Sequence, residues 1–92
     1  MNAIERADKA KAILQSLLFM EAFEMVRGRL ITGIENCPVK DVETAEDFRK
    51  CLKLLRAVRQ HLEVAINTGK LEAFRLEEAE KRKANPLRGL FR

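Results

Sequence analysis

One stretch constrains this chain more than any other. Over residues 45–68 the apolar side chains Phe48, Cys51, Leu52, Leu55, Val58, Leu62, Ala65 and Ile66 recur at three- and four-residue intervals. That spacing puts them all on one side of an α-helix for about six turns, and no polar residue interrupts the stripe. A strand would need apolar residues at every second position, and the β-branched residues here are scattered singly. The rest of the composition agrees. Ala, Leu, Glu, Lys and Arg dominate, Trp and Tyr are absent, and there are four Gly and two Pro in 92 residues. These are helix-forming residues with few breakers, so an all-α fold is expected.

Two further helices precede this one in the sequence reading. The first is expected over residues 3–15, with Ala3, Ala7, Ala10, Leu14 and Leu17 along one side. A second stripe follows in Phe19, Ala22, Phe23, Val26, Leu30 and Ile34. On one straight helix the two stripes would point in nearly opposite directions, roughly 170° apart at 100° per residue. A break at Ser16 resolves the conflict, because its hydroxyl can cap a new helix over residues 17–36. Gly28 and Gly33 each weaken that helix by up to about 1 kcal/mol relative to Ala. Pro38 forces the residue before it out of helical geometry and ends the segment.

Residues 37–43 are expected to form the main loop. Thr44-Ala45-Glu46-Asp47 has the layout of a capping box opening the third helix, with Asp in the last place. Asn67-Thr68-Gly69 has the layout of a helix stop, with Gly69 in a left-handed position. A short final helix is then expected over residues 70–83, and Pro86 prevents its continuation. The expected fold is a helical hairpin of two long helices with a short N-terminal and a short C-terminal helix. Residues 1–83 would form one domain and residues 84–92 a flexible tail.

Charge is unevenly distributed. Residues 1–46 carry six Lys/Arg against eight Asp/Glu, a net −2; residues 47–92 carry twelve against six, a net +6. A basic half attracts nucleic acid, an acidic partner or the acidic half of another copy. Within it, Arg49, Lys53 and Arg56 stack at i, i+4, i+7, flanked by Lys50 and Arg59. They form a candidate ridge for phosphates or an acidic partner, although no aromatic residue is placed to stack bases. Lys81, Arg82 and Lys83 form a second basic cluster, and Leu87, Leu90 and Phe91 are candidate anchors for docking on a partner.

Chemistry at a catalytic site finds little to work with. His61 is the only histidine, and two cysteines with one histidine fall short of the four ligands of a structural zinc site. Asn67-Thr68-Gly69-Lys70 lacks the first glycine, the hydroxyl residue and the strand of a phosphate-binding loop. Cys37 and Cys51 are expected to be buried, reduced thiols in a cytoplasmic chain, since no secretory signal opens the sequence. No stretch approaches the roughly 20 apolar residues of a membrane span. No enzyme, cofactor or metal is expected. A protein partner or a homo-oligomer is the leading expectation, with nucleic acid as the alternative.

Three segments give the chain a resemblance. They are Leu14-Gln15-Ser16-Leu17-Leu18-Phe19-Met20-Glu21-Ala22-Phe23, the Cys37-Pro38-Val39-Lys40-Asp41 loop, and His61-Leu62-Glu63 leading to Thr68-Gly69-Lys70-Leu71. With them the chain resembles short helical proteins encoded among the structural genes of tailed bacteriophages and prophages. In that group an Asp-Pro pair often stands where this chain has Gln15-Ser16. The resemblance implies a virion or assembly context, in the bacterial host cytoplasm or the virion, and carries no catalytic residues across.

Overall fold

In the computed structural model, which describes residues 1–84, three helices follow in order: α1 (Ala3–Gln15), α2 (Leu17–Asn36) and α3 (Val42–Ala84). No strand occurs among the described residues.

Each helix begins on a side-chain cap. The Oδ1 of Asn2 accepts from the Glu5 amide at 2.8 Å, which starts α1. Ser16 then divides α1 from α2. Its backbone is extended (φ −67°, ψ 122°), and its Oγ accepts from the Phe19 amide at 3.3 Å. The break therefore lies where the two apolar stripes fall out of phase. Removing the hydroxyl by Ser16→Ala leaves the Phe19 amide to water. It should lower stability by about 1 kcal/mol in urea denaturation followed by far-UV circular dichroism.

Asp41, rather than Thr44, caps α3. The Thr44 amide donates to Asp41 Oδ1 at 3.1 Å, so Thr44 lies inside the first turn and the helix starts three residues earlier than its capping-box pattern predicts. The connection from α2 is correspondingly tight. Cys37 is extended ahead of Pro38, the Asp41 amide donates to the Pro38 carbonyl at 2.9 Å, and the Cys37 thiol donates to the Asp41 carbonyl at 3.4 Å. A turn closed by these bonds replaces the longer expected loop.

The larger difference is that α3 does not stop at Gly69. It runs without interruption for 43 residues, and no glycine among the described residues has a positive φ. The expected short C-terminal helix is the second half of α3. Gly69 is buried because α1 crosses it closely. A Cβ placed there would lie 2.2 Å from the Ala7 Cβ and 2.9 Å from the Ala3 carbonyl oxygen. The glycine serves a helix crossing, and local sequence rules see only the missing side chain.

Against the first half of α3 lies α2, running in the opposite direction. Its Gly33 meets the Phe48 ring, with a Cβ there falling 2.6 Å from the ring edge. Farther back along α2, Phe23 lies beneath Arg59. Its ring stands 6.1 Å from that of Phe19 and is tilted against it.

These contacts do not add up to a core. Ala10, at 3% exposure, is the only buried hydrophobic residue among those described, and no large side chain is fully buried. The chain measures 72 × 29 × 18 Å, with a radius of gyration of 21.5 Å. A compact domain of this length would have a radius of about 12 Å. An elongated three-helix layer exposes on its flanks what a globule would bury. Leu17, Leu18, Leu54 and Leu71 are each 68–75% exposed. The thiols reflect the same openness. Cys51 is exposed rather than buried, Cys37 is half-buried, and neither is in a disulfide.

Candidate interaction surfaces

The pairing of α2 with α3 makes a layer two helices wide with two dissimilar sides. On one side a shallow groove of about 200 Å³ runs between the helices, lined by Phe19, Ala22, Phe23, Val26, Leu55 and Val58. Nothing charged enters it. On the other side the helices bring arginines together: Arg27 from α2 joins Arg56 and Arg59 from α3 around an apolar floor of Phe23, Leu52 and Leu55. Phe23 and Leu55 line both.

The ridge expected from the sequence is thereby divided. Arg49 forms an ion pair with Glu46 at 2.6 Å. Arg59 pairs with Glu63 at 3.3 Å, and its guanidinium carbon lies 5.5 Å from the centre of the Phe23 ring. That position favours a cation against the electron-rich face of the ring. Lys50 and Lys53 are exposed. Arg56 faces the cluster with Arg27 and Arg59, while Arg27 also meets Glu24 at 3.5 Å. These pairs are open to water, so each contributes little to stability. Arg27 was not visible as part of a site in the sequence. Only the register of α2 against α3 places it there, and its spacing from the ridge carries no such signal.

Farther along α3, Lys81 is held between Glu77 at 3.9 Å and Glu78 at 3.6 Å. Arg82 and Lys83 are exposed in the last turn, where positive charge complements the negative end of the helix. Leu87, Leu90 and Phe91 lie outside the described residues, as does the expected tail beyond Ala84. Midway along this half, Arg75 grips Glu72 with bonds of 2.6 and 3.1 Å. The hydrogen bond from Arg75 holds the Glu72 carboxyl below its ordinary value, outweighing the desolvation that raises it, and the positive charge of Arg75 adds a smaller lowering. The stability this pair contributes is present at neutral pH and is lost as pH falls through the lowered value.

His61 is exposed and lines a cavity of about 270 Å³ with Met1, Ala3, Arg6, Val64 and Ala65. No carboxylate stands in that lining to orient its ring. No helix among the described residues is long and apolar enough to cross a membrane.

The chain matches no protein family, no curated protein and no solved structure in comparisons with known proteins.

Proposed function

We propose that this chain is a non-enzymatic helical interaction protein, a small virion or assembly component of a phage or prophage. It works by self-association and by docking on a protein partner. One observation carries the interaction reading: folding a single copy leaves its large apolar residues half-buried at best, with Ala10 the only fully buried hydrophobic residue among those described. Hydrophobic burial is the main favourable term in folding, and an isolated layer of this kind leaves part of it unrealised. A second copy or a partner supplies the missing contacts, as in obligate assemblies whose fold and association are inseparable. The working unit is a helical hairpin, α2 against the first half of α3, with α1 crossing the middle of α3 near Gly69. The phage context rests on the resemblance of the three quoted segments.

Sedimentation velocity over a hundredfold range of concentration tests this reading. The expected result is a species larger than one chain at micromolar concentration, with a melting temperature that rises with concentration. A monodisperse monomer with a sharp, concentration-independent melting transition would overturn it.

One observation favours a second reading, a small nucleic-acid-binding protein. Arg27 adds a third guanidinium to Arg56 and Arg59 on the side away from the groove. Fluorescence anisotropy of a labelled duplex across a salt series separates the two. Phosphate contacts would give an affinity that falls steeply with salt and is lost when Arg49, Lys53 and Arg56 are reversed in charge. Absence of binding at low salt leaves the arginines as a solvated or acidic-partner face.

A further inference from the structure

The groove side of the layer is continuous with a larger apolar face. On α3, Cys51, Leu54 and Val58 follow at three- and four-residue intervals, the spacing of a coiled-coil seam. Leu54 is 68% and Val58 56% exposed, and Cys51 is exposed as well. Val58 and Leu55 line the groove, and Leu54 adjoins Leu55 on the same helix. Across the groove, Ala22 and Val26 form the α2 wall. Leu18, Ala22 and Met25 extend that wall outward at i, i+4, i+7, with Leu18 75% and Met25 58% exposed. The face is thus apolar between Leu18 and Val26 on α2 and between Cys51 and Val58 on α3; exposed Arg29, four residues beyond Met25, and Asp47, four before Cys51, bound it at one end.

We infer that this face is where a second copy of the chain docks, α3 seam against α3 seam, across a two-fold axis near Leu54. The inference rests on the self-association proposed above and says which surface performs it. Three properties of the face select a second copy. It is self-complementary: with the axis at Leu54 the leucine of each copy packs on that of the other, and Cys51 of each seam lies against Val58 of the opposite one. Isologous pairing of one patch with itself is the commonest way for a soluble chain to associate. Its size is also sufficient. The exposed apolar side chains on one copy present roughly 500–600 Å², so a pair would bury at most about 1,100 Å², the size of a weak, concentration-dependent interface. Finally, the cluster of Arg27, Arg56 and Arg59 lies on the opposite side, so pairing groove to groove brings no cation cluster against another and leaves only Arg29 at the edge of the face.

The 92-residue chain carries its own reporter in Cys51. Maleimide labelling with peptide mapping, run above and below the association concentration, compares its rate with that of Cys37. The expected result is at least a tenfold slowing at Cys51 in the associated form and a much smaller change at Cys37. In parallel, Leu54→Glu and Val58→Glu should raise the dissociation concentration at least tenfold while leaving the far-UV helix signal of the dilute chain unchanged. Leu54 is 68% exposed and lines no groove against α2, so it is the decisive variant; Val58 also lines the groove within one copy, so its result counts only where the dilute helix signal matches the parent. Leu71→Glu, at an exposed position on another side of α3, is the control and should associate like the parent. If the parent associates, yet Cys51 labels equally fast at every concentration and Leu54→Glu associates normally, this face is not the interface, although self-association stands. If the parent is monomeric throughout, the proposed function fails as well.

Discussion

Gly69→Ala should destabilise the protein, against the usual rule for a glycine inside a helix. In an exposed helix interior, replacing Gly by Ala stabilises by about 1 kcal/mol, because Ala has less backbone freedom to lose. Gly28 meets that description, with nothing within 4 Å of the position its Cβ would take, and Gly28→Ala should raise the urea midpoint accordingly. At Gly69 the same methyl would lie 2.2 Å from the Ala7 Cβ and 2.9 Å from the Ala3 carbonyl oxygen. Neither neighbour is the end of a flexible side chain, so α1 as a whole must move. Overpacking of this kind costs about 1–3 kcal/mol, which outweighs the propensity gain and reverses the sign. Gly69→Leu should go further and release α1 from α3, taking with it the contacts that bury Ala10. Urea denaturation of the three variants at one protein concentration reads both signs. A rise in stability for Gly69→Ala equal to that for Gly28→Ala would mean that α1 does not cross α3 at this point.

How much of this was legible in the sequence differs sharply between elements. α1 and α2 are set by local signals. Two stripes out of phase, a hydroxyl at Ser16 and a proline after Cys37 each act within a few residues, and the helices end where those signals place them. The start of α3 lies three residues ahead of its expected place because two capping patterns compete there. Asp41 wins, since the turn closed by Pro38 and Cys37 already aims its carboxylate at the Thr44 amide. The middle of α3 departs from expectation for a different reason. A glycine needed for a left-handed stop and a glycine needed for a close crossing look identical in a sequence, and only the partner helix distinguishes them.

The candidate surfaces divide in the same way. Arg49, Lys53 and Arg56 are legible as a ridge because they lie on one helix. The addition of Arg27, and the separation of an arginine side from an apolar side, depend on how α2 sits on α3. No spacing rule within either helix contains that information. The expectation that Cys51 is buried failed because the stripe on α3 is wider than the helix that covers it. α2 takes the Phe48, Leu52 and Leu55 edge, α1 takes the stretch near Gly69, and Cys51, Leu54 and Val58 are left uncovered. Apolar periodicity says that a face will be buried, but not whether the chain itself buries it.

Lys70→Pro separates one long helix from two short ones, and its effect should be among the largest of any exposed substitution in the chain. Had the chain stopped at Gly69, position 70 would open a new helix, where proline is well tolerated because its missing N–H has no partner to lose. In the continuous α3 the position is interior. Proline there removes the hydrogen bond to the Ile66 carbonyl and drives its ring into that same carbonyl, at a cost of about 3 kcal/mol or more. Lys70 is exposed, so the loss of its side chain contributes little and the backbone effect is isolated. The kink would also fall beside the α1 crossing, where Ala3 and Ala7 leave no slack around Gly69. The expected outcome is therefore a loss of helix signal and a urea midpoint far below that of Lys70→Ala, which retains the helix. Equal stability of the two variants would restore the break at Gly69. A large difference would establish that the second half of α3 is held in line with the first, as the crossing by α1 requires.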